Sequence, residues 1–578
     1  MKLIRALAVV TLTTLYLSSV FRLFEATFWT AGLGDWWDPY FINFLLEHWY
    51  QSGLHLSDPT TPPMFFPIEG TLGSSHGLVL YVPFYAIARL FLHPFQAYNA
   101  TLFAVMAMGV FCLYALLRRF LQLTFAESLL LSLFFLTSAN VMGYWIGIWS
   151  QRASVFLVPP ILFAALASHA AAHGPQRVVA TLAAGLLSTL LYTQDFYTGH
   201  FVFFFAALAG LVWLLLARPA VVGPAKQFWQ AAGSAAVYSA LAVVVLAGAW
   251  TLLVAASGGG VIHFFGLVVS SRDWRRPAII VIAACTFLMS RRTFRESWLL
   301  PFLTGAFIGG CAFLWIYLDS YRTHREFPVD SITSKLRSFA GDFRGGYESL
   351  RSFALLGVLA IAAWIPRTDV NRTLRRAMLA ALFVSLAVLA VPFRFGEFSI
   401  WLVMRDLLPG FSSISDPTRI IYVYELAATL WAGWFISRLR PRSPLRVSAA
   451  LLILLLLVIR PNFLAFDFLR PRETYARWVE GPIAKHPSCQ SFVIKAASPV
   501  YGERPNNAWT TYPMDAMWVA LRHSIPTLNG YSAWSPPGYA IGNPHDAGYN
   551  AAVDRWIADH SLRGVCAFDI EKRTMTPW

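Results

Sequence analysis

Residues 98–119 read YNATLFAVMAMGVFCLYALLRR, a run of twenty uncharged positions that ends at Arg118 and Arg119. A helix needs about 20 apolar residues to span the hydrocarbon core of a bilayer, and arginines beside a span favour the cytoplasmic side. The pattern recurs along a chain that is 57% hydrophobic and only 13% charged. Ordinary soluble domains carry about 25% charged residues. The sequence therefore predicts a polytopic α-helical membrane protein.

Thirteen apolar runs predict about thirteen transmembrane helices. The first run follows a basic N-terminus and lacks a small-x-small cleavage site, so we expect an uncleaved anchor. With the N-terminus cytoplasmic and the C-terminus external, nearly every short basic connection lies on one face, as the positive-inside rule requires. The runs are 1–24, 98–117, 124–144, 153–172, 177–193, 199–217, 233–255, 277–290, 297–318, 352–365, 377–392, 418–437 and 446–460.

Two features depart from this simple alternation. Counting 78–95 as a crossing would reverse the basic connections that follow, so we expect a re-entrant or interfacial segment there. The basic residues of 272–276 lie on the outer side in this scheme. Either the predicted topology is wrong there, or these residues form a basic patch with a function. The net charge of +15 predicts no nucleic-acid partner, because the arginines lie between apolar runs and not on a polar domain.

The non-membrane residues divide into three long segments on the predicted outer face. Residues 1–462 are expected to form the transmembrane domain, with external loops at 25–77 and 319–351. The loop 319–351, which is rich in charged residues and glycine, is either a mobile lid or a plain connector. Residues 463–578 predict a small external, periplasmic α/β domain with strands at 491–496 and 564–570 and helices near 514–522 and 551–560. Cys489 and Cys566 beside those strands are either a disulfide, as an external compartment permits, or two free thiols.

The first outer loop holds the richest set of polar side chains. The chain has no P-loop, no G-x-G-x-x-G, no H-E-x-x-H and no C-x-x-C, so ATP-driven transport, nicotinamide chemistry and common zinc hydrolysis lack a motif. The loop 34–41 reads GDWWDPYF, with Asp35 and Asp38 among aromatic rings. A partly desolvated carboxylate there would accept a proton near neutral pH. The alternative is an interfacial aromatic belt with an aspartate that caps the next helix.

Three short stretches carry a resemblance to a known superfamily. They are Gly34-Asp35-x-x-Asp38-Pro39 followed by Phe66-Pro67 and Ser74-Ser75-His76; residues 408–411 (LPGF) through 416–419 (DPTR); and residues 529–532 (NGYS) with 535–537 (SPP). Together with the layout of spans and loops, they resemble the GT-C superfamily of polytopic glycosyltransferases, and bacterial members in particular.

The resemblance implies an activity and a location. Such an enzyme transfers a sugar, hexosyl or pentosyl, from a polyprenyl-phosphate donor to an envelope glycan, lipid or protein acceptor. It works at the outer face of the bacterial inner membrane, surrounded by membrane lipids, and uses an acidic residue of the first external loop.

By resemblance, Asp35 is the catalytic carboxylate. It would deprotonate the acceptor hydroxyl in a single displacement, which inverts the anomeric configuration. Asp38 would orient the acceptor, bind a cation or only cap the helix. The second outer loop, 143–152, lacks the second acidic residue that members often show, which puts a metal site in doubt. No cofactor is certain, and a divalent cation is compatible with the pattern.

Six further residues are predicted to bind substrate. Arg152 would hold the carrier phosphate or extend to lipid headgroups. An acidic residue as near the membrane as Asp195 is costly unless paired or functional; otherwise it is a solvated loop carboxylate with a histidine beside it. Two arginines at outer helix ends would contact a lipid phosphate. The complete set is His76, Arg152, Asp195, His200, Arg394 and Arg419.

Two other functional classes fit the composition. A transporter or flippase for a lipid-linked or small solute also needs many spans, but the charges here gather at helix ends and no internal repeat occurs. A non-catalytic envelope-assembly protein fits if Asp35 is dispensable. The transferase is the preferred hypothesis because it alone accounts for the motifs.

Overall fold

The computed structural model describes most of the chain and is mainly helical. Asp35 lies outside the described residues, as do Arg272 and most of the loop predicted at 319–351. The described residues are 2–34, 38–142, 150–170, 174–216, 235–257, 260–264, 267–271, 273–290, 298–322, 336–338, 350–363, 372–395, 398–407, 411–441, 443–459, 468–471, 475–495 and 508–578.

Each of the thirteen predicted apolar runs contains a helix in the described part of the chain. Uncharged apolar side chains favour helix wherever the backbone must satisfy its own hydrogen bonds away from water. The helices are Lys2–Val20, Pro94–Arg119, Phe125–Leu136, Val158–Ala170, Pro175–Gln194, Phe196–Leu216, Ala235–Ser257, Arg275–Ser290, Leu299–Arg322, Leu350–Ala363, Arg372–Ala390, Ile420–Ser437 and Pro444–Ile459.

Four helical segments among the described residues are long and apolar enough to cross a membrane, which identifies an integral membrane protein. Several other helices are shorter: Phe125–Leu136, with 12 residues, is about 18 Å long at 1.5 Å per residue, against a core of about 30 Å. The count of about thirteen crossings therefore stays a prediction. The four segments are Pro94–Arg119, Ser150–Ala170, Leu299–Leu318 and Pro417–Ser437.

The segment 78–95 contains only a short helix, Val82–Arg89, of 8 residues. At 1.5 Å per residue it is about 12 Å long, which is too short to cross a bilayer. Its C-terminal end is joined to Pro94–Arg119 by four residues.

The chain forms two compact units, which are described separately. The first consists of Met1–Thr13, Met106–Gly143 and Ser154–Asn462. The second consists of Thr14–Val105, Tyr144–Ala153 and Phe463–Trp578. The C-terminal segment is thus grouped with the first long loop, 25–77, and with most of the outer loop predicted at 143–152. The predicted division into a transmembrane domain, 1–462, and an independent C-terminal domain, 463–578, stays a prediction.

Glycine allows two helices of the first unit to pack closely. A Cβ at Gly305 would lie 1.9 Å from the carbonyl oxygen of Leu182, and one at Gly185 would lie 2.0 Å from that of Phe302. Small residues permit this backbone approach between membrane helices. The contact fixes Pro175–Gln194 against Leu299–Arg322, and the first of these helices leads directly into Asp195.

The second unit contains a four-stranded mixed sheet. Its order is Ala484–Lys485, Thr574–Pro577, Val565–Asp569 and Ser491–Ile494, with the central pair antiparallel and the outer pairs parallel. Helices Ala508–His523 and Tyr549–Asp559 accompany it. Ser491–Ile494, Val565–Asp569 and the two helices overlap the predicted elements, whereas the strands Ala484–Lys485 and Thr574–Pro577 were not predicted.

Two of the five cysteines are joined. A disulfide links Cys489 and Cys566, whose Cα atoms are 5.6 Å apart, next to the paired strands Ser491–Ile494 and Val565–Asp569. Of the two alternatives left open by the sequence, the structure contains the bond. The remaining cysteines, Cys112, Cys285 and Cys311, are free thiols.

Short strand pairs complete the described structure. In the second unit, Ala31–Leu33 pairs antiparallel with Phe468–Pro471. In the first unit, Gly260–Phe264 and Leu267–Ser271 form a hairpin, and Arg337–Ser338 pairs parallel with Phe393–Arg394.

Candidate functional site

Asp38 lies where three distant segments of the second unit meet. It is half-buried and opens helix Asp38–His55, a position at which the helix dipole favours a carboxylate. Its Oδ1 accepts a hydrogen bond from the Tyr531 hydroxyl at 3.0 Å, across 493 residues of sequence. Its Oδ2 accepts one from Gln151 Nε2 at 3.3 Å. Both carboxylate oxygens are therefore held by side chains of other segments.

The Asn-Gly-Tyr-Ser motif is fixed by the Phe-Pro loop. The amide of Phe65 donates to the Asn529 carbonyl oxygen at 3.2 Å. A Cβ at position 530 would lie 2.3 Å from the Phe65 ring, so only glycine permits this approach. The Asn529 side chain accepts from the amide of Ile494 and donates to the Tyr549 hydroxyl. The first two motif residues are thus structural, and they place the tyrosine that follows.

The Ser-x-His segment joins the same arrangement through its backbone. The Ser532 hydroxyl donates to the carbonyl oxygen of Ser74 at 2.6 Å. His76, a predicted substrate-binding residue, follows two positions later and is half-buried. Two of the stretches that carry the superfamily resemblance therefore meet in one part of the second unit.

Gln151 connects the second predicted outer loop to Asp38. It lies in the 3-10 helix Ser150–Leu157 and is 2% exposed. Its Nε2 points to Asp38, while its Oε1 is buried and receives no hydrogen bond from any residue that the structure describes. The neighbouring Arg152 is 6% exposed, so its side chain is buried.

A cluster of aromatic rings supports the start of the Asp38 helix. Tyr40 stacks on Trp518 with centroids 5.3 Å apart, and Phe95 and Tyr475 contact the same indole edge-on. The Tyr40 hydroxyl donates to Oδ1 of Asp515 at 3.1 Å. This acid is almost completely buried and was not among the predicted site residues, because its helix position gave no motif.

A small cavity lies beside these rings. Its volume of about 10 Å³ is near the room that one water molecule needs. It is lined by Gly32, Leu33, Pro39, Tyr40, Asn43, Phe95 and Tyr98. A sugar does not fit there without movement of these side chains.

Titratable groups of the first loop are held in fixed protonation states. His48 Nε2 contacts the Pro59 carbonyl oxygen at 3.1 Å, and burial lowers the pKa of His48 from 6.5 to about 4. Burial alone would raise the pKa of Asp58, but hydrogen bonds from Thr60 and Thr61 outweigh it and lower the pKa. The imidazole is therefore neutral and the carboxylate ionised at neutral pH.

Asp195 lies in the first unit, between the helices Pro175–Gln194 and Phe196–Leu216. It is fully buried and follows Pro175–Gln194. Its Oδ1 accepts from the amide of Tyr197 at 3.2 Å; its Oδ2 accepts from the amide of Thr198 at 3.2 Å and from the Tyr422 hydroxyl at 3.3 Å. The Thr198 hydroxyl donates to it as well. Asp195 is therefore not a solvated loop side chain, since its buried oxygens accept the hydrogen bonds that cap the next helix.

Arg419 contacts the same helix turn. Its Nε pairs with Asp416 Oδ2 at 3.2 Å, and its guanidinium carbon lies 4.3 Å from the centre of the Tyr197 ring. The Tyr197 hydroxyl and the Ser415 hydroxyl share a hydrogen bond of 2.7 Å. The Asp-Pro-Thr-Arg stretch thus packs directly against the start of helix Phe196–Leu216.

The other two predicted residues of the first unit differ in their surroundings. His200 is 5% exposed, shares a hydrogen bond with the Tyr192 hydroxyl, and contacts the ring of Phe411 with centroids 5.4 Å apart. Arg394 is exposed in the two-residue strand Phe393–Arg394. Asp195, His200 and Arg419 therefore gather around one helix turn, whereas Arg394 lies exposed in a strand.

The sequence interpretation missed a carboxylate inside a membrane span. Glu425, in Pro417–Ser437, is 1% exposed and accepts from Asn140 Nδ2 at 2.7 Å and from the Ser352 hydroxyl. The expectation that charges gather at helix ends is wrong at this position. The sequence feature that could have indicated this residue is a single glutamate among the apolar residues of the run 418–437.

The described residues contain no group of three or more His, Cys, Asp or Glu side chains placed to hold a metal ion. Both oxygens of Asp38 accept hydrogen bonds, and among the residues that the structure describes, which leave out Asp35, it is the only acidic member of this group. A divalent cation at the first outer loop stays a prediction.

Comparison with known proteins gives a distant structural likeness. No protein-family model matches the chain, and no curated protein matches it. Among solved structures, it is similar to the oligosaccharyltransferase of Archaeoglobus fulgidus in a complex with Zn and sulfate. The TM-score is 0.43 at 12% identity, covering 97% of this chain and 68% of that chain. A likeness at this level carries no argument about fold or function, so GT-C membership stays a prediction.

Proposed function

We propose that the protein is an integral membrane glycosyltransferase of GT-C type. It transfers a sugar from a polyprenyl-phosphate donor to an envelope glycan, lipid or protein acceptor at the outer face of the membrane. The single observation that carries the proposal is the fixation of Asp38 by Tyr531 and Gln151. These residues come from three separated segments, two of which carry the motifs of the resemblance.

The two loop aspartates have different roles in this proposal. Asp38 already accepts hydrogen bonds on both oxygens, so it positions the loop. Asp35, three residues earlier, is the base that takes the proton of the acceptor hydroxyl. The acceptor oxygen forms a bond to the anomeric carbon as the bond to the carrier phosphate breaks. The electron pair leaves with the phosphate, and the configuration inverts.

Basic and polar side chains are assigned to substrate binding. In the second unit, the Arg152 guanidinium holds the carrier phosphate and stabilises it as a leaving group, and His76 contacts the acceptor. In the first unit, Asp195, His200 and Arg419 belong to a polar cluster that binds substrate, and the exposed Arg394 contacts a lipid phosphate. No step of this mechanism runs through a metal ion.

The disulfide is consistent with an external location for residues 463–578. Bonds such as Cys489–Cys566 form and persist in oxidising compartments, including the bacterial periplasm. The proposal therefore places the N-terminus in the cytoplasm and the C-terminus outside the inner membrane. An alkaline phosphatase reporter fused after residue 462 is expected to be active, and one fused at Arg119 inactive.

The proposal is tested by genetics and mass spectrometry. A deletion strain is complemented with wild type, Asp35→Asn or Asp38→Asn, and envelope glycans and polyprenyl-phosphate sugars are profiled. We expect deletion to remove one sugar from a glycan while its lipid-linked donor accumulates. Asp35→Asn should fail to restore it at normal membrane levels. Full restoration by Asp35→Asn would refute the proposal and leave an envelope-assembly role as the explanation of any phenotype.

A transporter or flippase is the second candidate, and Glu425 is the observation that favours it. A buried carboxylate in a membrane span is a common feature of solute and proton paths. Glu425→Gln distinguishes the two, because loss of a transported solute with intact glycan transfer would indicate transport. Loss of glycan transfer only in the Asp35 variant would indicate the transferase.

A further inference from the structure

The short helix Val82–Arg89 is amphipathic in an unusual sense, because its polar side faces the protein. Arg89 Nε donates to Glu47 Oε2 at 2.9 Å, and Arg89 Nη2 donates to Glu47 Oε1 at 3.3 Å. The Tyr85 hydroxyl donates to Glu47 Oε2 at 2.7 Å. Glu47 is 3% exposed. These charged and polar groups attach one face of the helix to helix Asp38–His55.

The opposite face consists of apolar side chains without protein cover. Ile87 is 64% exposed, Leu90 65% and Phe91 83%, and Pro83 is exposed as well. The helical turn continues past Arg89, since the amide of Phe91 donates to the carbonyl of Ala88. At 100° per residue, positions 83, 87, 90 and 91 fall within an arc of about 100°. Tyr85 and Arg89 lie on the other side.

This apolar stripe adjoins an element that enters the membrane. Pro94 begins the helix Pro94–Arg119, which is long and apolar enough to span a bilayer, and it follows Phe91 by three residues. In water, a contiguous face of large apolar side chains is unfavourable. Against lipid, the same face is favourable, and helices with one apolar side lie in the membrane interface.

We infer that residues 83–91 form a lipid-binding surface that lies on the acyl-chain boundary of the membrane, with Pro83, Ile87, Leu90 and Phe91 inserted. The occupant is phospholipid, because the stripe continues toward a span and the charged side chain of the helix, Arg89, is paired with Glu47 on the opposite side. This inference holds whichever sugar donor or acceptor the protein uses.

The surface has a consequence for the candidate site. The loop that precedes it carries Ser74, whose carbonyl accepts from Ser532, and the Trp49 indole donates to the carbonyl of Gly77 at 2.8 Å. These contacts leave few residues between the lipid-binding surface and the hydrogen-bonded group around Asp38. Residues 74–83 thereby link the lipid-binding surface to the group around Asp38.

Spin labelling of the full-length protein in phosphatidylcholine–phosphatidylglycerol liposomes tests the inference. Labels are placed by Ile87→Cys and Phe91→Cys in a background in which the three free cysteines are replaced by alanine and the disulfide is kept. Glu69→Cys, at an exposed charged position of the same loop, is the aqueous control. Leu303→Cys, 53% exposed on a span, is the lipid control.

We expect the ratio of oxygen to nickel-chelate accessibility at 87 and 91 to exceed that at 69 severalfold and to approach that at 303. Values at both positions equal to that at 69 would overturn the inference and assign the stripe to solvent or to a protein partner. If the background with the three alanine substitutions does not fold, a benzophenone amino acid at position 91 of the native-cysteine protein replaces the labels. A phospholipid adduct supports the inference, and its absence beside an adduct at 303 overturns it.

Discussion

Removing one hydroxyl at Tyr531 tests whether Asp38 is positioned by the C-terminal segment. Tyr531→Phe deletes the donor to Asp38 Oδ1, while the ring keeps its edge contact with Phe41 at 5.4 Å. A hydrogen bond to a charged group contributes about 1.5–3 kcal/mol. Because Asp38 is half-buried, we expect about 1.5 kcal/mol, which corresponds to about a tenfold slower transfer.

The assay follows the return of the missing sugar after induced expression in the deletion strain, normalised to the membrane level of each variant. Tyr50→Phe is the matched control, since this half-buried tyrosine of the same unit contacts Arg89 through its ring. We also expect coupling: adding Tyr531→Phe to Asp38→Asn should slow transfer little further, because both changes remove the same interaction.

Two results would refute the reasoning about Tyr531. The first is a rate for Tyr531→Phe that equals the wild-type rate. The second is a slowing that multiplies fully with that of Asp38→Asn, since independent effects would show that the two side chains do not act together.

Three further predictions concern stability. Arg89→Met should lower the free energy of unfolding by about 3 kcal/mol, because Glu47 stays buried without its cation. In thermal unfolding, the double variant Arg89→Met/Glu47→Gln should recover part of this loss. An equal loss in the single and the double variant would contradict the prediction. Gly305→Ala, whose Cβ would lie 1.9 Å from a backbone oxygen, should lower the melting temperature, whereas Gly310→Ala, with no atom within 4 Å, should not. Because the folded-state pKa of His48 is about 4 against 6.5 unfolded, only the unfolded state gains this proton as pH falls below 6.5. Stability should therefore fall by about 3 kcal/mol by pH 4, and unfolding curves of His48→Gln should lack that loss.

The two units divide the predicted site residues between them. Asp38, His76 and Arg152 belong to the second unit, and Asp195, His200, Arg394 and Arg419 to the first. In each unit the structure adds carboxylates that motif reasoning missed, Asp515 and Glu425. Both are buried among partners that lie far away in sequence, and neither stands in a recognisable motif. Substitution of each, Asp515→Asn and Glu425→Gln, extends the complementation series to both units.

The sequence by itself determined the helices and the membrane character. Hydropathy is a sum over adjacent residues, so a run such as 98–117 predicts the helix Pro94–Arg119 without knowledge of any other segment. The same holds for the strand Ser491–Ile494 and for the helix Tyr549–Asp559, whose patterns are local.

Only the tertiary structure decided which distant side chains meet. The hydrogen bond from Tyr531 to Asp38 joins residues 493 positions apart, and the disulfide joins cysteines 77 positions apart. Asp195 accepts a hydrogen bond from Tyr422, a residue of another helix. The ion pair of Arg89 with Glu47 attaches one face of its helix to the protein and leaves Ile87 on the opposite, exposed face. Such contacts depend on how elements pack, and no local sum of propensities contains that information.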